Sequence, residues 1–462
     1  MREGAPDSLP STGHEGSPAI QSEPVQNRTG DGSLGTAKIF VHVFTHFWTE
    51  GKPAVRHYTY LGRTVTGIHS RSVMDLPFDQ SRMDTLMEKS GADVVIATTR
   101  FSIQHLLGGY RYFFFANLDA IGVSRYLPAL VYIKGSPEKS FYIGCGNEEW
   151  GTSVFPLWVT DIRNQSWSSV DTANSIVSGL REHGLDNSTI AVEKAFLPFD
   201  AAEVLRAALP EAAFVDAHPV LEAIRAIKSP EELELVRTAS VGIIESMSAT
   251  FAASRPGETK IDIVERFRRE QTDRGLVFDY CLVSCGSEFN RAPSSRVWQE
   301  GEALSLDSGG MYQGYIGDLA RMAVAGEPTA LMRDLLAEVE SVQQSVRAAV
   351  APGRRGGDIF DLADKALAAC PHADEMFFVG HGMGLITHEV PRLTGTGPVP
   401  YPADHAEAPL EVGMVLSLET TLSNPDVGIV KLEDTLIVTE DGWEAPGDEA
   451  RGWNRPLSGG GE

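Results

Sequence analysis

The residues with the clearest chemical potential lie in the glycine-rich segment VGHGMGLITHEVPRL, residues 379–393. Its two histidines, His381 and His388, are seven positions apart, and His381 stands between Gly380 and Gly382. Glycine lets the backbone run close to a ligand because no Cβ is in the way. Imidazole is the commonest metal ligand and the commonest acid or base near neutral pH. Taken alone, the segment also fits an ordinary polar loop. Residues elsewhere in the chain must distinguish that loop from a metal or catalytic site.

Four acids on two predicted β-hairpins favour a metal or catalytic site. Asp307 ends one strand and Asp318 lies in the next, on either side of a glycine-rich turn. Glu419 closes an apolar run, and Glu433 lies inside the strand that follows it. A carboxylate on an otherwise apolar strand is costly unless it is paired or bound to a metal. Each acid alone also fits an exposed strand end, but four acids beside a histidine loop favour one shared site.

The charge of this set predicts cations. Four carboxylates carry four negative charges, and with a neutral His381 two divalent cations would balance them. Oxygen-rich ligands with one imidazole suit Mn²⁺, the leading candidate, and also Fe²⁺, Co²⁺ or Zn²⁺. A two-metal site can deprotonate a water while it polarises the group under attack. His388 would be free to donate a proton or to stabilise the tetrahedral intermediate.

The elements that must position these residues fall into two predicted domains. Residues 1–37 are rich in Gly, Ser, Pro and acids, which predicts a disordered tail. Strand and helix signals alternate over residues 38–220 and predict a small α/β domain. A capping box at Ser229 and Glu232 predicts a long helix that ends near Ala253. It opens a larger domain, residues 221–445, with residues 446–462 as a C-terminal tail.

Composition bounds the function classes. The chain has 462 residues, 42% hydrophobic and 22% charged, as in a soluble globular protein of two domains. Its net charge of −24 argues against nucleic-acid and anionic-membrane partners, which require basic surfaces. We see neither a membrane-spanning run nor a secretory signal. The four cysteines are too sparse for a disulfide framework, which favours a cytoplasmic protein.

An aromatic-rich stretch in the first domain allows two interpretations. His105, Tyr110, Arg111 and Arg125 lie in or beside it, and residues 112–115 read YFFF. The stretch fits core packing with arginines on the surface. It also fits a lip that covers a neighbouring active site.

Together these segments resemble the pita-bread metallohydrolases, which include creatinase, aminopeptidase P, prolidase and methionine aminopeptidase. GHGMGLITHEVP is similar to the family's metal and catalytic histidine loop, and KLEDTLIVTEDG to its closing strand. Asp307 and Asp318 have the family spacing of eleven residues. The likeness covers about residues 221–442, and the preceding domain more loosely. It implies an α/β (α+β) fold, in which a small creatinase-like α/β domain precedes a pita-bread domain with a curved antiparallel sheet.

The resemblance also implies roles for individual residues. Asp318 and Glu433 would bridge the two metals, His388 would assist catalysis, and Glu419 could share the proton of the attacking water. It implies a homodimer in which the small domain overhangs the partner's site, which would give residues 105–125 their role. The implied metal ligands are Asp307, Asp318, His381, Glu419 and Glu433.

Three departures from the family pattern concern the substrate. Asn290 stands where the peptidases and creatinase have a further histidine, and Lys431 stands where they have arginine. Thr-Thr-Leu follows Glu419 where peptidases have Pro-Gly. Lysine cannot reproduce a bidentate arginine contact. Arg291 could hold a substrate carboxylate or be a solvated surface group. We therefore assign Asn290, Arg291 and Lys431 as candidate substrate-binding residues.

The leading expectation is a metallohydrolase that cleaves a C–N bond in a short peptide, with a Xaa-Pro dipeptide or aminopeptidase substrate as the first candidate. An alternative keeps the site but acts on a small zwitterion, as a creatinase-like amidinohydrolase or a lyase of the dimethylsulfoniopropionate-cleaving type. A third alternative is a metal-free peptide-binding scaffold. The presence of all five implied ligands argues against this third alternative.

Overall fold

The computed structural model describes residues 76–395 and 402–457, together with two short strands, β1 (Thr59–Tyr60) and β2 (Arg63–Thr64). These two strands pair antiparallel and belong to a separate unit from the other described residues. All other described residues belong to a second unit, residues 69–462. The predicted tail over residues 1–37 lies outside the described residues.

The first part of the second unit is a six-stranded mixed sheet with the strand order β6-β5-β4-β3-β7-β8. Strands β3, β7 and β8 run parallel, whereas β4 is antiparallel to both of its neighbours. Every residue of β3 is buried, because the helices cover both faces of the sheet. The elements are α1 (Gln80–Ser90), β3 (Val94–Ala97), α2 (Arg100–Leu106), β4 (Ala129–Ile133), β5 (Phe141–Cys145), α3 (Glu149–Thr152), β6 (Asp161–Ser166), α4 (Ser169–Glu182), β7 (Thr189–Val192), α5 (Phe199–Ala208), β8 (Ala213–Asp216) and α6 (His218–Arg225), with short 3-10 helices at Phe113–Ala116 and Pro137–Lys139.

The second part is built on an antiparallel sheet with the strand order β12-β13-β14-β11-β10-β9, and β15 pairs with β14. The predicted small α/β domain and the following domain with its antiparallel sheet are therefore confirmed. The elements are α7 (Pro230–Ala253), α8 (Lys260–Asp273), β9 (Val277–Cys285), β10 (Ala303–Tyr312), β11 (Tyr315–Val324), α9 (Ala330–Arg347), α10 (Gly357–Ala368), β12 (Met376–Gly382), α11 (Asp404–Glu407), β13 (Val415–Asn424), β14 (Gly428–Thr439) and β15 (Gly442–Glu444), with a 3-10 helix at Ala373–Glu375.

Helix α7 forms where its capping signal predicts. The Ser229 hydroxyl accepts a hydrogen bond from the Glu232 backbone N–H, and the Glu232 carboxylate accepts one from Ser229 N–H in return. The helix packs on β11 so closely that a Cβ at Gly317 would lie 2.8 Å from the backbone of Ser240. Since successive residues of a strand face opposite sides, Asp318 points away from α7.

Residues 446–457 extend the second part beyond the boundary predicted at residue 445. Asn454 bridges to Ala323 of β11, and its side chain donates to the Met322 carbonyl oxygen at 2.9 Å. Trp453 packs into the apolar cluster under α9. The predicted C-terminal tail is thus, up to residue 457, packed against the sheet.

No helix in the described part of the chain has the length and apolarity that crossing a bilayer demands. The cysteines Cys145, Cys281, Cys285 and Cys370 are all free thiols, as their spacing predicts.

Candidate metal and catalytic site

The register of the antiparallel sheet brings the predicted acids into one row. Asp307 of β10 pairs with Ala320 of β11, which pairs with Glu433 of β14, which pairs with Glu419 of β13. Residues directly opposite each other on antiparallel strands share a face of the sheet. Three acids from three strands therefore meet on one surface, although 126 positions separate Asp307 from Glu433 in the chain.

Asp318 and His381 join this row from one pleat away. Asp318 is two residues from Ala320, and His381 of β12 is two residues from Val379, the partner of Glu419. Side chains two apart on a strand share a face. The Thr435 hydroxyl accepts a hydrogen bond from the Asp318 backbone N–H and donates one to its carbonyl oxygen, both at 3.2 Å, which fixes β11 against β14.

The five side chains form two groups that share Glu433. We call Asp318, His381 and Glu433 the first ligand group, and Asp307, Glu419 and Glu433 the second ligand group. Within each group one ligand atom per residue lies within 4.8 Å of the others. Ligand atoms around one ion at about 2.0–2.2 Å lie at most roughly 4.4 Å apart, so both spreads are close to what an ion needs.

The first ligand group fits a divalent cation. The Nδ1 atom of His381 lies 3.2 Å from the Gly382 carbonyl oxygen, which orients the ring with Nε2 available. This Nε2 is buried and has no hydrogen-bond partner, whereas Oε2 of Glu433 lies 3.0 Å from the ammonium of Lys431. The other oxygen of Glu433 accepts from Ser417 Oγ at 2.8 Å. A buried Nε2 with a lone pair and no donor fits an ion that would bind it.

Burial makes this surface unfavourable for unbalanced negative charge. Burial, and then the charge of Asp307, raise the pKa of Asp318 to about 8. Burial, and then the charge of Asp318, raise the pKa of Glu433 well above its usual range. The Tyr280 hydroxyl donates to Asp318 Oδ1 at 2.5 Å and helps to hold it. Burial, with a further contribution from His388, lowers the pKa of His381 to about 3, so its ring is neutral and able to bind a metal.

The second ligand group surrounds a lysine. The ammonium of Lys431 contacts carboxylate oxygens of Asp307 and Glu419 and lies 3.0 Å from Oε2 of Glu433. Burial alone would lower the pKa of Lys431, but the charges of Glu433, Asp307 and Glu419 outweigh it and hold that pKa well above its usual range. Lys431, which the sequence assigned as a candidate substrate-binding residue, is thus buried among the candidate metal ligands.

Arg291 contacts one of these acids. Its guanidinium pairs with Asp307, on the oxygen that Lys431 also contacts. The adjacent Asn290 is exposed, and its side-chain oxygen accepts from the Ala292 N–H at 3.0 Å in a local turn. Of the three candidate substrate-binding residues, Arg291 and Lys431 contact the acids. The side chain of Asn290 instead accepts a hydrogen bond within its own loop.

His388 completes the site from the loop after β12. Its ring stacks on that of His381, with the centroids 3.8 Å apart and the planes inclined by 16°. The side chain is otherwise exposed, so solvent and a substrate can reach it. Desolvation lowers the pKa of His388, which makes the neutral imidazole the dominant form at neutral pH. His388 can therefore exchange protons at the mouth of the site.

Sequence reasoning gave no role to Glu389, which anchors this loop. Glu389 is 1% exposed, and its two oxygens lie 3.2 Å from Nε of Arg225 and 3.2 Å from Nζ of Lys228. A Cβ at Gly382 would lie 2.2 Å from the Pro391 backbone nitrogen, so only glycine lets the loop fold back here. A buried acid next to a candidate catalytic histidine was the available signal, but its partners lie more than 160 positions earlier in the chain.

The aromatic-rich stretch of the first domain is mainly core. Tyr110, Tyr112 and Phe115 are buried, whereas Phe113 is 60% exposed. The buried His105 lies 3.0 Å from the Glu232 carboxylate at the start of α7, which joins the two parts of the unit. The role as a lip over a partner's site stays a prediction.

Comparison with known protein families finds a match for each of the two parts of the second unit. Residues 234–440 match the family described as metallopeptidase family M24, and residues 80–227 match the creatinase/prolidase N-terminal domain. The two matches meet close to the start of α7, between the two sheets.

Individual relatives are distant. An uncharacterized peptidase, YqhT, of Bacillus subtilis is 27% identical over 51% of this chain and 66% of its own length. The Xaa-Pro dipeptidase of Lactobacillus delbrueckii subsp. lactis is 27% identical over 60% of this chain and 75% of its own. Among solved structures, the Xaa-Pro dipeptidase from Bacillus anthracis superposes with a TM-score of 0.68 over 81% of this chain and 98% of its own, at 19% identity. At that identity the superposition supports the fold alone.

Proposed function

Because the chain belongs to the metallopeptidase family M24, we propose that it is a metal-dependent peptidase that hydrolyses short peptides, with a Xaa-Pro dipeptide as its first candidate substrate. The proposal depends most on the buried His381 Nε2, which has no hydrogen-bond partner and lies beside a histidine open to solvent. The relatives named Xaa-Pro dipeptidase support the choice of substrate class.

In this proposal the first ligand group, Asp318, His381 and Glu433, would hold a divalent cation, with Mn²⁺ the leading candidate. The bound cation would supply Lewis acidity, which polarises a carbonyl and makes a water easier to deprotonate. Glu419, 14% exposed at its side chain, would accept the proton of the attacking water. His388 would donate a hydrogen bond to the oxyanion or a proton to the leaving amine.

The test is turnover of Gly-Pro or Ala-Pro dipeptides by protein loaded with Mn²⁺. Glu419→Gln should lower kcat by about 100-fold or more, because general acid–base groups contribute about 10²–10⁴-fold. Glu440→Gln, at an exposed acid just beyond β14, is the matched control and should leave kcat unchanged. Metal-loaded protein that cleaves neither dipeptide would contradict the proposed substrate class.

A second candidate function follows from Asn290. Its side chain is occupied in a local turn and offers no imidazole to a peptide. A small zwitterionic substrate, acted on by amidinohydrolase or lyase chemistry, needs fewer peptide contacts. Creatine and dimethylsulfoniopropionate should then be consumed where the dipeptides are not, and Asn290→His should raise dipeptide cleavage.

Two further proposals accompany the function. We propose a cytoplasmic location, supported by the four free thiols, which suit a reducing compartment. We also propose a homodimer, with residues 105–125 covering the partner's site. Light scattering on purified protein tests the dimer, and the mass of a monomer at micromolar concentration would contradict it.

A further inference from the structure

Lys431 lies where a second metal ion would have to bind. Its Nζ contacts Asp307 and Glu419 and lies 3.0 Å from Glu433, so one atom is in reach of every member of the second ligand group. An ion held by the same three carboxylates would need that same position. An ammonium has three donors and no lone pair, so it can only compete with a cation and cannot bind one.

The strand fixes Lys431 in this position. Lys431 and Glu433 are two residues apart on β14, so their side chains share a face of the sheet. Lys431 pairs with Thr421 of β13, and only 3% of its side chain is exposed. Its backbone N–H lies between β13 and β11, 3.3 Å from Met322 Sδ. The stem is therefore enclosed by neighbouring strands, with its charged end on the acids.

A single divalent cation is enough to neutralise the net charge of the site. Asp307, Asp318, Glu419 and Glu433 contribute four negative charges. Lys431 and Arg291 each return one positive charge by direct contact with Asp307. One divalent cation balances the remaining two. Two divalent cations would leave the buried set with an excess positive charge of two, which burial penalises as it penalises excess negative charge.

Resting on the metal-dependent function proposed above, we propose that this centre holds one divalent cation per chain, in the first ligand group, and that the Lys431 ammonium replaces the second. The two-ion expectation from sequence is revised by this proposal. Lys431 then neutralises and orients Asp307 and Glu419 rather than contacting a substrate.

Elemental analysis and electron paramagnetic resonance of Mn²⁺-loaded protein test the proposal without an activity assay. The wild-type protein should bind about one Mn²⁺ per chain, with the uncoupled spectrum of an isolated ion. About two ions per chain, with the spectrum of an exchange-coupled pair, would overturn it.

Lys431→Met removes the ammonium at nearly constant volume and should raise the count to about two ions per chain with a coupled spectrum. Lys228→Met is the matched control, because it removes an equally buried ammonium whose partner is Glu389, and it should leave one ion. An unchanged count in Lys431→Met, or a second ion in both variants, would refute the role of Lys431. If Lys431→Met does not fold, the wild-type count alone decides.

The same samples separate this inference from the proposed function. Dipeptide cleavage by wild-type protein that carries two ions would overturn the single-ion centre and leave the peptidase. One ion without dipeptide cleavage would keep the single-ion centre and remove the proposed substrate.

Discussion

Two neighbouring carboxylates of β14, Glu433 and Asp434, lie in contrasting electrostatic surroundings. Glu433 points to a surface where four acids meet two protein cations, Lys431 and Arg291. Asp434 points to the other face. There it lies 3.1 Å from Arg321, 3.5 Å from Arg347 and 2.6 Å from Arg451, and accepts a hydrogen bond from Gln343 of α9 at 2.9 Å.

The pKa values of the two acids reflect this difference. Burial alone would raise the pKa of Asp434, but Arg321, Arg451 and Arg347 outweigh it and lower that pKa. Burial raises the pKa of Glu433, and Asp318 adds to the effect. Three arginines surround the single Asp434 on one face, whereas only two cations face four acids on the other. We propose that the Asp434 face stabilises the fold, whereas the Glu433 face binds a cation.

The largest expected effect is the loss of activity when a member of the first ligand group is changed. Asp318→Asn should lower turnover by about 1,000-fold or more, because the cation that activates the water is no longer held. The metal-free variant should unfold at the same temperature as metal-free wild type or at a higher one, because a buried charge with a raised pKa is removed. Dipeptide assays and calorimetry check both. A clear loss of stability in the metal-free variant would show that Asp318 is structural.

A substitution on the Asp434 face should lower the stability of the fold. Asp434→Asn leaves the buried Arg321 and Arg347 without their shared acid and should cost about 3–5 kcal/mol in the free energy of unfolding. Urea unfolding measures this cost. Asp441→Asn, at an exposed position next to β15, is the control and should change stability by less than about 0.5 kcal/mol. Equal losses in the free energy of unfolding for Asp434→Asn and Asp441→Asn would contradict the structural role of the Asp434 face.

A smaller effect concerns Glu232, a half-buried acid that is paired with His105. Burial alone would raise its pKa, but His105 and the hydroxyl of Tyr315 lower it from 4.5 to about 2. Because the folded pKa is depressed, the stabilisation is present above pH 4.5 and is lost as the pH falls towards 2. Unfolding curves of wild type and Glu232→Gln should therefore converge between these pH values. A constant difference across that window would contradict the pairing.

The parts of the fold that sequence predicted depend on local signals. The capping box at Ser229 defines the start of α7 within a single helical turn, so no tertiary information is required. The candidate ligands were recognisable because each lies on a strand with a characteristic local motif. Their grouping on one face then follows from the strand period and the antiparallel register.

The parts that sequence could not predict depend on contacts between distant residues. The position of Lys431 on the second ligand group requires the register of four strands. Glu389 requires Arg225 and Lys228 from before α7, and Asp434 requires Arg451, which sequence assigned to a tail. In each case a buried charge is visible in the sequence, but the partner that balances it is not.

The most direct test of the account is an anomalous difference map from a crystal of the Mn²⁺-loaded protein. A cation in the first ligand group should give a peak within bonding distance of His381 Nε2, Asp318 and Glu433, at about 2.0–2.3 Å from these atoms. The absence of a peak at that position, or a peak elsewhere in a well-ordered map, would contradict the claim that the uncompensated face of β14 is a cation site.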